Sequence, residues 1–256
     1  MKNLVISMLL APLVSWSAVD LGTALTEDNM KTLAKGFGSN FAHNSLMGAS
    51  KLGTVFGFQV GLTAAQTDVP KINDIAKANG GELKSIFNAG LMGSVGIPFG
   101  IAFEAVMTPS AKADGAELEN SSVAIKWNIN DVIPILPVNL ALRGFSSNAK
   151  FSFTQDGTND VKNETTITGA QLLFSPMIPV VEPYIGVGML SSKNKLSATT
   201  SIFDGAYSAS ASSSETVSGT QFLAGVEVNL LLLKLGAEYS QAFGNTRYGL
   251  KLSFGF

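Results

Sequence analysis

A chain of 256 residues in which 46% are hydrophobic and only 14% charged lies well below the about 25% charge of ordinary soluble domains, so a water-facing exterior on all sides is not expected. Mean hydropathy is +0.28, yet beyond residue 17 no apolar run approaches the roughly 18 to 20 residues of a membrane helix. A net charge of -2 without a basic cluster excludes nucleic acid as a partner, and the absence of cysteine removes disulfides, thiolate metal sites and thiol nucleophiles together.

Residues 1–18 read as a secretory signal peptide. Lys2 precedes an apolar stretch from Leu4 to Trp16, and the small residues Ser15, Ser17 and Ala18 flank a cleavage point after Ser17 or Ala18. Residues 19–52 form an N-terminal segment, in which Thr26 caps a short helix whose first turn carries Glu27 and Asp28.

From Gly53 to Phe256 the pattern alternates with period two, and side chains on a strand alternate between faces. About ten strands match it, within a range of eight to twelve. The first carries Phe58, Val60, Leu62 and Ala64 opposite Gly57, Gln59 and Gly61; the second Phe87, Leu91 and Val95 opposite Asn88 and Ser94. Strand three sets Phe103 and Met107 against Glu104, and strand four Val123, Ile125 and Trp127 against Lys126 and Asn128. Strand five has Leu140 and Leu142 opposite Arg143, but Phe151 and Phe153 have the other parity, which predicts a bulge near Ser146–Asn148. A less regular strand six covers about 166–174, and Ile185, Val187 and Met189 mark strand seven. Strand eight places Glu227 opposite Val226 and Val228, strand nine Lys234 and Glu238 opposite Leu235 and Tyr239, and strand ten Lys251 opposite Leu250 and Leu252.

Short connections alternate with longer ones rich in Asp, Asn, Gly, Lys and Ser, as in barrels with tight periplasmic turns and long outer loops. The fold class is therefore all-β, a transmembrane antiparallel up-and-down β-barrel with a short N-terminal helix. A soluble sandwich or lipocalin-like barrel also alternates, with its faces inverted. Inward glycines, outward aromatic rows and the signal peptide favour lipid outside, hence the cell outer membrane, and Trp127, Tyr239 and Tyr248 suit interfacial girdles.

The terminal Tyr248-Gly-Leu-Lys-Leu-Ser-Phe-Gly-Phe256 resembles the C-terminal assembly signal of Gram-negative outer-membrane barrels. Lys251 fills the inward slot where that pattern has a glycine, and Gly249 lies two residues earlier. The resemblance implies the barrel assembly machinery as a partner, read through Tyr248, Phe254 and Phe256. Glu182-Pro-Tyr-Ile-Gly-Val-Gly188 is similar to a strand of small outer-membrane barrels, and Lys126–Phe153 is similar to a stretch in uncharacterised bacterial barrel families. No functional residue is carried over from any of them.

Seven inward charges, Glu104, Lys126, Arg143, Glu227, Lys234, Glu238 and Lys251, form a candidate lumen network. A two-residue Gly244-Asn245 turn sets Phe243 opposite Thr246 and Glu238 opposite Lys251. A preceding turn centred on Leu232-Leu233 sets Glu227 opposite Glu238, leaving Glu227 to Lys234, Arg143, Lys126 or a proton. Such a network locks barrel shape, lines a pore or performs acid–base chemistry.

The sole histidine, His43, precedes the first strand and so falls on the side away from the outer rim, in a surface or capping role. That placement argues against the ten-stranded outer-membrane proteases and against a Ser-His-Asp set. No cofactor, metal or enzyme activity is expected. Inward Gly57, Gly61, Gly90, Gly96, Gly186 and Gly188 leave space that residues 26–46 fill as a plug, unless that segment lies in the periplasm. The Ser-rich stretch 191–216, with Phe203 and Tyr207, reads as a mobile outer loop. The functions left in view are a structural barrel or narrow channel for small solutes, uptake of a small hydrophobic ligand behind a plug in the style of fatty-acid transporters, and a surface adhesin acting through 191–216.

Overall fold

The computed structural model describes residues 27–78, 82–113, 116–133, 136–155, 159–202 and 207–256, so the signal peptide and Thr26 lie outside the described residues. Ten strands follow one another around a closed antiparallel barrel: β1 (Gly57–Asp68), β2 (Ser85–Ile97), β3 (Ile101–Ala113), β4 (Ala116–Asn128), β5 (Val138–Gln155), β6 (Asn159–Pro176), β7 (Val181–Ile202), β8 (Tyr207–Leu230), β9 (Leu233–Ala242) and β10 (Asn245–Gly255). Helix α1 (Glu27–Phe41) precedes them, and α2 (Pro70–Ala78) lies in the connection after β1.

Closure joins β10 to β1, from Gln59 opposite Gly255 to Asp68 opposite Thr246. Past the last ladder pair, Phe58 N–H donates to the Phe256 carbonyl and Phe256 N–H to that of Phe58, both at 3.0 Å. The Phe58 and Phe256 rings meet edge-on at 4.6 Å. With every edge paired, the sheet has no free strand to template aggregation.

The faces are inverted relative to a soluble barrel. On β10 Tyr248, Leu250, Leu252, Phe254 and Phe256 are exposed, whereas Arg247, Lys251 and Ser253 are buried. The same split recurs around the ring, with Leu62, Val95, Phe103, Ile125 and Phe222 outside and Gln59, Ser94, Glu104, Lys126 and Gln221 inside.

Three local expectations are corrected. No bulge interrupts β5, which pairs in continuous register with β4 and β6. Phe145 and Phe151 point inward there because the outer half of the bore is apolar: they pack with Ile167 and Leu190 around Phe37 and Phe41 of α1. The register shift lies instead in β3, between Thr108 and Ala111, where Pro109 supplies no ladder N–H.

The second correction concerns 191–216, whose described residues, 191–202 and 207–216, form a ladder and not a loop. Pairing of β7 with β8 continues from Ser191 opposite Ser218 to Ile202 opposite Tyr207. Neither flank contains Gly or Pro to break it, and Leu190, Ser192, Asn194 and Leu196 alternate inward. These two strands thus rise above the 10-residue β9 as a tall outer wall; Phe203 lies outside the described residues.

The third is turn register. The β9–β10 turn centres on Phe243-Gly244, both at positive φ (54° and 81°) as a type I′ turn requires, with Ala242 opposite Asn245. Phe243 accepts that backbone because its ring lies over Gly219, where a Cβ would come within 2.8 Å of it. The β8–β9 turn centres on Leu231-Leu232, with Leu230 opposite Leu233. Each turn sits one residue earlier than the sequence reading placed it, so the pairing moves by two. Glu238 faces Gly225 and Gly249, while Glu227 and Lys251 both face Gly236.

Candidate functional site: the filled bore

The candidate site is the bore, and residues 27–52 occupy it. Glu27 and Lys31 pair one turn apart on α1, and Met30, Ala34, Phe37 and Phe41 form its buried stripe at the spacing of a helix face. Gly36 and Gly38 permit close approach: a Cβ would lie 2.3 Å from Ile72 of α2 at the first and 2.7 Å from Ser192 of β7 at the second.

Beyond Phe41 the segment 42–52 has no regular secondary structure, so its backbone groups need partners from the wall. They find them at successive levels, below the contacts that α1 makes through Ala34, Ser39 and Phe41. Toward the outer end Ser192 Oγ donates to the Ala34 carbonyl (2.8 Å) and Ser39 Oγ to that of Ala242 (2.9 Å). Next come Ser147 Oγ to Phe41 O (2.5 Å) and Arg247 Nη1 to Ala42 O (2.9 Å). Arg143 Nη2 reaches Met47 O at 2.7 Å, and Lys126 Nζ reaches Gly48 O and Ser50 O at 2.9 and 3.0 Å. Asn128 Nδ2 donates to Ala49 O at 2.7 Å, and Glu182 accepts from both Ser50 N (2.8 Å) and Ser50 Oγ (2.5 Å).

The seven inward charges fall into separate groups. Glu104 lies 3.1 Å from Arg143 Nε and also accepts from Ser45 Oγ at 2.7 Å. Lys126 spends its hydrogens on carbonyls of the bore segment, as above. Glu227 pairs with Lys251 and stands 3.8 Å from Lys234. Glu238 is not bound to Lys251; it takes Arg247 Nη2 at 3.4 Å and the Tyr184 hydroxyl at 3.0 Å. The expected Glu238–Lys251 pair is overturned by the two-residue shift in register.

Sequence reasoning missed Arg247, Glu182, Tyr184 and His43. Arg247 was legible, since it shares parity with Lys251 on β10. His43 was not: it is buried, with Nε2 2.9 Å from Glu104 Oε2 and Nδ1 2.9 Å from Ser122 Oγ, which corrects its assignment to a surface or cap. Ser122, His43 and Glu104 stand in the linear order of a nucleophile, base and acid. All three are nevertheless enclosed, and Glu104 is already committed to Arg143 and Ser45, so the set ties the bore segment to β3 and β4. Among the described residues no cluster of His, Cys, Asp and Glu is placed to hold a metal ion.

The buried acids Glu104, Glu182, Glu227 and Glu238 are matched by the buried bases Lys126, Arg143, Arg247 and Lys251. Lys234, inward on β9 and 3.8 Å from Glu227, adds a further base, so the bore holds mutually paired charges of both signs and not a ring of one sign. Of the inward glycines, Gly57 and Gly96 give room to the Leu52 carbonyl, which a Cβ would approach to 2.5 and 2.2 Å. Gly236 and Gly249, not singled out from sequence, lie beside Leu46 in the same way, whereas Gly61, Gly90, Gly186 and Gly188 press on neighbouring strands.

A family model described as a family of unknown function, DUF6588, matches residues 23–254. The chain belongs to DUF6588. That match spans the bore segment and all ten strands to within a residue of the end of β10. No curated protein matches it. Among solved structures it is similar to the outer membrane protease OmpT from Escherichia coli, at 10% identity and a TM-score of 0.46, over 78% of this chain and 96% of that one. It is similar to the translocator domain of autotransporter NalP from Neisseria meningitidis, at 12% identity and 0.42, over 94% and 99%. The attachment invasion locus protein Ail of Yersinia pestis gives 13% and 0.37, over 78% and 97%. At such scores none of them lends this DUF6588 chain an activity.

Proposed function

We propose that this protein is an integral outer-membrane barrel sealed by its own N-terminal segment, with a structural role in the envelope and no resting channel. Support for the membrane setting comes from the uninterrupted outward apolar surface on a barrel whose charges lie inside. One observation carries the sealed state: residues 34–50 are hydrogen-bonded to the wall at successive heights along the bore, from Ser39 Oγ on the Ala242 carbonyl near the outer rim, through Arg143 on the Met47 carbonyl, to Asn128 and Glu182 on Ala49 and Ser50 near the base. The mutual pairing of the buried charges argues the same way, because Glu104, Glu227 and Glu238 are already bound to Arg143, Lys251 and Arg247.

Reconstitution in a planar bilayer tests this reading. The full chain is expected to give no conductance steps, and a deletion of residues 27–52 that still assembles is expected to conduct. Stepwise conductance by the intact protein overturns the proposal in favour of the narrow channel.

A second reading has one observation in its favour: the outer half of the bore is lined by Phe145, Phe151, Ile167 and Leu190, and α1 fills it with Phe37 and Phe41. A small hydrophobic ligand that displaces α1 would meet an apolar wall. Saturable quenching by the protein of a fluorescent fatty acid, competing with added α1 peptide, is the result that favours uptake.

A further inference from the structure

Three of the four turns at the base of the barrel are wholly apolar where turns are ordinarily polar. The fourth, between β4 and β5, carries Asn130 and Asp131, with Asn130 bonded to Val138 O and Leu140 N, beside exposed Val132 and Ile133. The connections 97–101, 176–181 and 230–233 read Ile-Pro-Phe-Gly-Ile, Pro-Met-Ile-Pro-Val-Val and Leu-Leu-Leu-Leu, without one charged or hydrogen-bonding side chain. Polar residues and Gly dominate turns because their side chains bond the local backbone or tolerate φ > 0.

Backbone conformation sharpens the anomaly. Among the described residues four non-glycines have positive φ: Leu46, Phe99, Leu231 and Phe243. Side-chain packing explains two of them, Leu46 beside Gly249 and Phe243 over Gly219. Phe99 (φ 70°) is 76% exposed and Leu231 (φ 60°) is 96% exposed, so nothing among the described residues covers them. Gly or Asn would relax both positions. Large apolar side chains held there against backbone preference point to a medium that receives them.

The height of the apolar band says what that medium is. Outward rows free of polar side chains cover about seven residues on β5 (Val138–Gly144) and β9 (Leu233–Tyr239) and nine on β3 (Ile101–Pro109), where a membrane strand needs about 9 to 11. At ~3.3 Å per residue and ~45° tilt, seven residues rise only about 16 Å of a ~25 Å band. Above these rows the wall turns polar, with Ser146 and Asn148 on β5 and Gln241 on β9 facing outward. On β5 and β9 the missing height is therefore available only below, where Leu231 and Leu232 continue the β9 row and exposed Val132 and Ile133 stand beneath β5, whereas β2 spans the band by itself from Phe87 to Ile97.

We infer that the base of the barrel, turns included, is immersed in the inner leaflet of the membrane, with Phe99, Ile178, Leu231 and Leu232 in contact with lipid acyl chains. The inference rests on the membrane reading above and adds a depth to it. Its functional consequence is that the lower mouth of the bore opens onto lipid at the headgroup boundary and not onto free periplasm. Lys51, exposed beside Leu52 at the inner end of the bore segment, then stands at the level of the lipid phosphates.

The chain has no cysteine, so single labels are clean. Leu231→Cys, Ile178→Cys, Leu250→Cys in the middle of the band and Lys195→Cys on the outer wall are each labelled with bimane. The proteins are reconstituted in phosphatidylcholine liposomes with iodide on both sides, or with 5- or 12-doxyl lipid. Leu231→Cys and Ile178→Cys are expected to be quenched several-fold more by 5-doxyl lipid than by iodide, Leu250→Cys most by 12-doxyl lipid, and Lys195→Cys by iodide alone. Iodide quenching of the two turn labels with Leu250→Cys still in lipid overturns the immersed base and leaves the membrane reading standing. Iodide quenching of Leu250→Cys overturns both. Turn labels shielded from iodide and doxyl lipid alike are covered by protein, such as a second copy, and that also overturns the inference.

Discussion

Lys251 on β10 meets Glu227 on β8 across Gly236 of the strand between them. Gly236 has no side chain to stand in the gap, and a Cβ there would come 3.1 Å from the Lys251 chain. A buried pair of this kind is weak evidence of net stability, yet losing one partner strands a charge at a cost of about 3–5 kcal/mol. Glu227→Gln is expected to lower stability by that order. Lys251→Met is milder, because Lys234 remains 3.8 Å from Glu227. Glu227→Gln combined with Lys251→Met is expected to regain over half of the loss. Urea unfolding followed by heat-modifiable gel migration measures all three; a Glu238→Gln, Lys251→Met cycle is expected to be additive within about 0.5 kcal/mol.

Lys126 holds two carbonyls of the bore segment and no carboxylate in direct contact. Lys126→Met keeps the length of the side chain and removes both bonds, leaving Gly48 and Ser50 carbonyls short of a donor, at about 1–3 kcal/mol each. That loss falls on the seal more than on the wall, whose ladders are untouched. Intermittent conductance steps in a planar bilayer are expected from Lys126→Met, with strand content by circular dichroism unchanged. A silent variant would mean that the remaining wall bonds, among them those of Arg143, Asn128, Arg247 and Glu182, hold the segment without Lys126.

Gly93 and Gly96 lie three residues apart on β2 and face opposite ways. A Cβ at Gly96 would meet the Leu52 carbonyl at 2.2 Å, whereas one at Gly93 meets nothing within 4 Å. Gly96→Val is expected to destabilise by about 1–3 kcal/mol, as overpacking does, and to increase conductance by pushing Leu52 out. Gly93→Val is expected to change stability by about 0.5 kcal/mol or less. Equal effects at the two sites would show that Leu52 does not sit against β2.

The wall was legible because its signal is local. Period-two alternation from Val60 to Phe254 fixed which side chains face inward, and the parity of Glu104, Lys126, Arg143, Glu227, Lys234, Glu238 and Lys251 placed all of them inside. Pairing among them was not legible, because it turns on a single residue in each hairpin. The Gly244-Asn245 dipeptide suggested the wrong centre, and Phe243 took a left-handed backbone for the sake of its packing over Gly219. The bore segment carries no alternation, so nothing local told that His43 passes beside Glu104 or that the outer bore is apolar. Phe151 then looked like an error of parity when it is a contact of α1.

The path of residues 27–52 carries a topological prediction. A segment before the first strand is naively expected at the periplasmic end, where β1 begins. Here α1 packs mainly on β7 and β8, and its bonds run to Ser192 and to the outer turn at Ala242. The chain then descends the bore to Leu52, beside Gly57 and Gly96 at the base. The amino end of α1, with Glu27 and Asp28 exposed, thus stands at the mouth on the loop side. If the loop side is the cell surface, as the C-terminal signal and the short basal turns imply, a membrane-impermeant maleimide is expected to label Asp28→Cys in intact cells. Lys51→Cys, at the inner end of the same segment, is expected to react only after the outer membrane is permeabilised. Labelling of Lys51→Cys alone in intact cells would invert the barrel in the membrane, and protection of both would put α1 deeper in the bore than its bonds to Ser192 and Ala242 allow.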